Sequence, residues 1–548
     1  APYEAPLPKP RPEKGDAATE EEEAPKKPSA AGRVAVALLA AAVIGGSLLQ
    51  FNDNLGAFGW RAISDKLNAE KHAALLTSAI KRTRDGFGED SLSRANDAVV
   101  MIEKDVIVAP RFGALGAYSA YAHFAYEVRY GKDPQRDSLA RSALGRVPVD
   151  APHRKLAEAA RDVVANQLPT ARGALRGLLL SDAKNVDAAV TLGELELRAK
   201  QPKDAIAAFD QAVKAKDDAR TRGGLMRAYD AAGDADKSKA EATAIAAKYP
   251  AHASSRLLLA RHAWLREKDE TTAMKWLTEL EKPTVIASAA PFDIVEALSL
   301  RGSIHLERGR VTSAKKAFDD AIVAAKGVPV YLPRLGLGEV YLANGQFPQA
   351  ITEFNLASQA APELALPKVG IARALLKQEN ATQAKATLAP LKDPALGGEI
   401  GFWLGQAEEK LSPERPSEPI KIYEAAIKAQ PSEIKPYVAL ANLQAKIGKM
   451  DEADATLAVA AKNVPPSEKL HLGIGELRFR QERYDQALLQ FEKALELQPT
   501  NLEALYSKGK TLLRMGERAK LDEGKKILDQ VAAKDEKYPG LALEYGLY

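Results

Sequence analysis

At 548 residues the chain is too long for one compact core, so several domains or a repeat array are expected. The 77 Lys and Arg against 73 Asp and Glu leave a formal charge of +4, which lacks the basic excess that phosphate neutralisation needs and argues against a nucleic-acid partner. The absence of cysteine excludes disulfides, thiolate nucleophiles and Cys-based metal sites, and a composition with only 6% aromatics suits a mostly helical protein.

The chain begins Ala1-Pro2-Tyr3 with no initiator Met, as a processed product or fragment would. Residues 1–32 have no apolar periodicity. Pro6, Pro8, Pro10 and Pro12 favour extended polyproline II, and an acidic run at 20–23 follows. Such a segment cannot offset the entropy of ordering, so a disordered tail is expected. Residues 34–49 hold no charge, and at about 1.5 Å per residue a helix over 33–51 reaches the low end of what spans a bilayer. Phe51, Phe58 and Trp60 stand where an interfacial belt would lie. Lys26, Lys27 and Arg33 precede this stretch, whereas the first positive residue after it is Arg61. The charge bias predicts a single-pass protein of the inner (cytoplasmic) membrane, with the tail cytoplasmic and the remainder periplasmic.

Residues 52–150 read as a helical membrane-proximal region with divergent repeats, with helices expected over 62–80, 88–109 and 112–130. The run Phe112, Tyr118, Tyr121, Phe124, Tyr126, Tyr130 is expected as helix core and not as a stacking platform. The ten Lys and Arg between 129 and 176 are interspersed with Asp133, Asp137, Asp150, Glu158 and Asp162, and read as solvated helix faces.

From 151 to 548 one pattern recurs. It is clearest over 331–362, where Leu337-Gly338 and Tyr341 are followed by Ala350, Phe354, Ala357 and Pro362. Gly193, Ala205, Phe209 and Ala212 stand at the same offsets, as do Gly302, Ala314, Phe318, Ala321 and Gly475, Ala487, Phe491, Ala494. Ala350, Phe354 and Ala357 share one helix face at i, i+4, i+7. Small residues at 338 and 350 let paired helices approach, the phenylalanine fills the space between units, and Pro362 ends the unit. Weaker copies lie around Tyr229, where Ala242 replaces the aromatic, around Trp276, Gly370, Tyr423 and Tyr437, and at a divergent closing unit with Tyr506, Gly509 and Tyr538.

This spacing resembles the tetratricopeptide repeat (TPR) family over about residues 150–540. The resemblance implies an all-α chain, a right-handed α-solenoid of about ten helix pairs whose concave surface binds peptides or protein segments. With the expected span in front, the chain resembles bacterial envelope scaffolds that organise machines of motility, secretion or envelope biogenesis. A soluble cytoplasmic adaptor, or a co-chaperone-like peptide binder, is the alternative if 34–49 is not a span. Glu194, Glu339 and Glu476 each follow the packing glycine and point towards the groove. Arg198 and Arg480 lie one turn beyond two of them, so intrahelical pairs Glu194–Arg198 and Glu476–Arg480 are expected, with partner contact as the second reading.

Nothing in the sequence assembles a catalytic or cofactor site. Gly509-Lys510-Thr511 mimics the end of a phosphate loop, but Ala504 stands where that loop requires glycine. The seven histidines show no metal-ligand spacing. Neither an enzyme, a metal site, a cofactor nor a small-molecule substrate is expected; the partners expected are proteins or peptide segments.

Overall fold

The computed structural model describes residues 68–110, 112–325, 327–535 and 538–547, and those residues form 28 helices and no strand. The tail expected at 1–32 and the span expected at 33–51 lie outside the described residues. No helix among the described residues is long and apolar enough to cross a membrane, and this finding corrects the expected inner-membrane localisation. The physical reason is plain in the sequences of the longer helices. Ala69–Gly88 carries Glu70, Lys71, Lys81, Arg82, Arg84 and Asp85, and Gly113–Tyr130, less charged, is surrounded by protein.

The helices run α1 Ala69–Gly88, α2 Leu92–Val108, α3 Gly113–Tyr130, α4 Pro134–Arg146, α5 Arg154–Val164, α6 Leu168–Ser181, α7 Val186–Arg198, α8 Pro202–Ala215, α9 Ala219–Ala231 and α10 Ala235–Lys248. There follow α11 Ala253–Leu265, α12 Glu270–Leu280, the short α13 Pro283–Ile286, α14 Pro291–Glu307, α15 Val311–Ala324, α16 Tyr331–Ala343, α17 Phe347–Ala360, α18 Leu366–Lys377 and α19 Ala381–Leu388. The last are α20 Gly397–Leu411, α21 Ser417–Ala429, α22 Ile434–Lys446, α23 Met450–Asn463, α24 Glu468–Arg480, α25 Tyr484–Leu497, α26 Leu502–Met515, α27 Arg518–Lys534 and α28 Leu541–Leu547.

From α5 to α27 the helices pack as eleven consecutive pairs, with α13 inserted between the fourth and fifth. Each first helix packs on its own second helix and on the first helix of the next unit, while second helices pack forward only onto the next first helix. First helices therefore sit closer together than second helices do, and the array curves with the first helices inside. The period is written in the backbone as well. In ten of the eleven units, α20–α21 being the exception, a left-handed residue turns the chain between the two helices, and 34 residues separate Asn166 from Lys200, Gly345 from Glu379, Gly448 from Glu482, and Glu482 from Gly516. Positive φ opens the loop towards the antiparallel second helix.

Phe209, Phe318, Phe354 and Phe491, each at most 1% exposed, are the wedges of the stack. Each ring lies against the glycine of its own first helix: a Cβ on Gly193, Gly302 or Gly475 would fall 2.6, 2.6 or 2.5 Å from the ring. Three of the rings also lie against a glycine of the next unit, namely Gly224, Gly336 and Gly370. Tyr423 takes the wedge position against Gly405, and Leu528 does so against Gly509 in the closing unit. Where Ala242 replaces the aromatic, Met226, Leu258 and Leu259 supply the missing volume. At the C-terminus α28 covers α26 and α27, with Glu544 buried and bridged to Arg514 at 2.8 and 3.3 Å.

The N-terminal helices depart from this scheme. Helix α3 is buried along almost its whole length among α1, α2, α4, α5 and α7, and Tyr118, Tyr121 and Phe124 form its core as expected. The hairpin α1–α2 packs on α3, and α1 also reaches α9. Together they fill the inner face of the upstream units.

Candidate protein-interaction groove

Two buried carboxylates fasten the N-terminal helices to the inner face. Asp90, in the turn between α1 and α2, accepts from Arg129 Nε at 2.8 Å and Nη2 at 3.0 Å, from Arg227 at 3.3 Å, and meets His252 Nε2 at 3.2 Å. The His252 Nδ1 accepts from the Ser255 backbone N–H at 3.1 Å, so Nε2 carries the proton donated to Asp90. Burial alone would raise the Asp90 carboxyl, but Arg129, His252 and Arg227 hold it well below the usual carboxylate range. Asp187, on α7, binds Arg84 of α1 at 2.8 Å, the Tyr118 hydroxyl at 3.0 Å and Arg220 at 3.3 Å. Burial opposes its ionisation too, yet Arg84 and Arg220 lower it. Arg129 is thus a buried ion-pair partner, whereas a solvated face was expected for the basic stretch that contains it.

Downstream the inner face is open. Two adjoining clefts, of about 370 and 300 Å³, run across α11, α14, α16, α18 and α20 and share Leu306 and Glu339. Their floor is apolar, with half-buried Leu300, Leu306, Leu335, Leu342 and Trp403. Charged residues on the walls are tied across units: Arg261 to Glu296 at 2.8 Å and also to Asp230, and Glu339 to Arg373 at 2.5 Å. The Arg373 guanidinium lies 5.7 Å from the Trp403 ring centroid. Glu307 and Lys377 stand exposed at the helix ends lining the rim.

Of the expected groove residues Glu339 lines both clefts, and the partners of the others differ from those expected. Glu194 binds Arg227 of the next unit, while Arg198 donates to the carbonyls of Val163 at 3.2 Å and Val128 at 2.7 Å. Glu476 accepts from the Ser507 hydroxyl at 3.0 Å, and Arg480 is exposed. The intrahelical pairs fail because the next first helix brings a donor closer to each carboxylate than the next turn of its own helix. These side chains form a ladder between units, continued by Glu399 with Lys435 at 2.9 Å. Sequence reasoning missed Arg227, Arg373 and Lys435, which lie 33, 34 and 36 residues beyond their carboxylates. Reading charge pairs at the repeat period would have found them.

Profiles of known families agree with this geometry. One described as a TPR repeat matches residues 475–516, and one described as a tetratricopeptide repeat matches 156–220 and 299–365. Residues 156–220, 299–365 and 475–516 are thus tetratricopeptide repeats. Among solved structures it is similar to a thermophilic TPR protein of Thermus thermophilus, with 22% identity over 33% of this chain and 99% of that one (TM-score 0.31). A TPR protein of Parabacteroides merdae matches at 16% identity over 47% and 99% (TM-score 0.36), and PilF of Pseudomonas aeruginosa at 17% over 39% and 97% (TM-score 0.30). No curated protein matches the sequence.

The phosphate-loop lookalike resolves into repeat packing. Lys510 lies in the interior of α26, with its ammonium 4.3 Å from the Phe479 ring centroid, and Thr511 donates to the Ser507 carbonyl at 2.6 Å. A helix interior presents no cradle of free N–H groups to a phosphate. Among the described residues no group of three or more His, Asp or Glu could hold a metal ion.

Proposed function

We propose that this TPR protein is an interaction scaffold that organises a multiprotein assembly, and that partner proteins dock in the open inner groove over α14–α20. The observation that carries the reading is the pair of adjoining clefts with a leucine and tryptophan floor on the inner face. Large apolar side chains left half-exposed in a concave strip are a recognition surface, because burying them on association supplies the driving force. The inter-unit ladder, Glu339–Arg373 above all, holds that strip in shape and supplies polar groups at its wall.

The test compares Leu306→Glu and Leu335→Glu with Val323→Glu, which alters an exposed residue of a second helix. Partner recovery from the native extract is expected to fall at least tenfold for the first two and to stay unchanged for the third. Equal recovery by all three would remove the groove from the account.

A further inference from the structure

The two clefts define which positions of a first helix face the groove. In α14 the residues 6, 3 and 2 before the packing Gly302 and 1, 4 and 5 after it all line them: Glu296, Ser299, Leu300, Ser303, Leu306 and Glu307. The same six positions about Gly338 line them in α16. Contacts downstream keep this register, with Ala372 and Ala441 in the glycine's place in α18 and α22. Glu399 and Lys435, each six residues before that position, meet at 2.9 Å, and Phe479 of α24 lies 4.3 Å from the Lys510 ammonium of α26. The charge on these positions changes sign along the array. In α14 and α16 they hold Glu296, Glu307 and Glu339 and no cation, whereas over α18–α26 they hold nine cations against Glu399, Glu409, Glu476 and Glu503. The last of the six positions shows the change most plainly. Glu307 and Ala343 are followed by Lys377, Lys410, Lys446, Arg480 and Arg514, spaced 33 to 36 residues apart. The helix dipole favours a cation at all these helix ends alike, so it does not account for the switch. Lys410 is tied to Glu379 at 2.6 Å and Arg514 to Glu544 at 2.8 Å. Lys377, Lys446 and Arg480 are exposed and form no ion pair among the described residues.

We propose, resting on the reading of the inner face as a docking groove, that the groove continues beyond its apolar clefts as a cationic track over α18–α24, and that its occupant is a protein segment in which apolar residues adjoin an acidic run. Trp403 and Lys377 line the second cleft together, so the apolar floor and the track meet at one place. Packed helices stand about 8–10 Å apart, so the three steps from Lys377 to Arg480 span about 25–30 Å. An extended acidic run of about eight residues covers that length at about 3.3 Å each. The exposed cations orient such a run and speed its association, while the apolar residues in the clefts hold it. The carboxylates set among the cations favour a peptide over a nucleic acid, whose phosphates follow one another at about 3.4 Å along a strand and would face Glu409 and Glu476 as well.

Fluorescence anisotropy with the full chain tests the track. The probe is a labelled peptide of two leucines followed by about eight glutamates, enough to span the row; in the control peptide lysines replace the glutamates. The acidic peptide is expected to bind at least tenfold tighter at low salt. Lys446→Gln combined with Arg480→Gln is expected to cut that preference at least fivefold. Lys428→Gln combined with Lys462→Gln removes the same charge from exposed sites on the second helices α21 and α23, and is expected to leave the preference unchanged. All four side chains are exposed, so both double variants are expected to fold. Equal binding of the two peptides, or a preference that survives the loss of Lys446 and Arg480, would overturn the proposal. So would tighter binding of a single-stranded oligonucleotide of equal charge, since the track would then suit a nucleic acid. Equal partner recovery by the Leu306, Leu335 and Val323 variants, with the peptide preference intact, would sink the scaffold reading and leave the track.

Discussion

Replacing Gly338 with alanine tests the wedge directly, because the same substitution has opposite sign elsewhere in the chain. Phe354 is fully buried between Gly338 of its own unit and Gly370 of the next, and a Cβ on Gly370 would already stand 2.7 Å from the ring. A methyl on Gly338 therefore drives the ring towards a backbone that cannot yield. Overpacking of this kind costs about 1–3 kcal/mol, against about 1 kcal/mol of helix propensity gained by Gly→Ala. The net expectation is a loss of up to about 2 kcal/mol. Gly173, exposed on α6 with nothing within 4 Å of its would-be Cβ, has only the propensity term, so Gly173→Ala is expected to stabilise by up to about 1 kcal/mol. A long array need not unfold in one step, so local opening energies from amide exchange over 331–388 and 154–198 are the appropriate readout. Adding Phe354→Leu to Gly338→Ala removes the clash, and the pair is expected to be less destabilised than the sum of the two single changes. Stabilisation by Gly338→Ala, or strict additivity with Phe354→Leu, would refute the wedge.

His123, on α3, is held neutral: burial, then the nearby Arg136, pushes its pKa down to about 4, from 6.5. Between those values the unfolded chain binds the extra proton, so stability present above pH 6.5 is lost as pH falls towards 4. The loss amounts to about 3 kcal/mol at 1.4 kcal/mol per unit. Denaturant titration of the N-terminal region at pH 7 and 4.5 measures it, and His123→Gln should flatten the difference. Lys200 holds a left-handed backbone at φ 56. Lys200→Gly relieves about 1 kcal/mol of strain, partly offset by unfolded-state entropy, whereas Gly345→Ala at φ 72 is expected to destabilise; thermal unfolding should order the two variants that way. Arg373→Met removes the partner of Glu339 and the cation over Trp403, and is expected to weaken partner binding at least fivefold with little change in circular dichroism.

The repeat was legible because its packing demands are local. The glycine, alanine and phenylalanine of one unit meet one another, so their spacing alone carries Gly338, Ala350 and Phe354 into the right places. Even the weak copy with Tyr423 keeps its wedge, since tyrosine fills the same space against Gly405. The eleven pairs over 151–548 stand close to the ten expected. What the sequence could not disclose is contact across units and across the groove. Glu194 and Arg198 look like an intrahelical pair until the next unit brings Arg227 alongside. Asp90 and Asp187 carry no local signature at all, because their partners come from residues 84 to 252. The membrane expectation rested on residues 34–49, outside the described residues, and on no helix that the structure describes.

Docking of partners in the open inner groove is directly testable. A photo-crosslinking residue placed at Leu335, on the groove floor, and at Leu180, exposed on a second helix, tests it in intact cells. Discrete covalent adducts with partner proteins are expected from position 335 and none above background from position 180. Adducts from 180 alone, or from both positions equally, would contradict it.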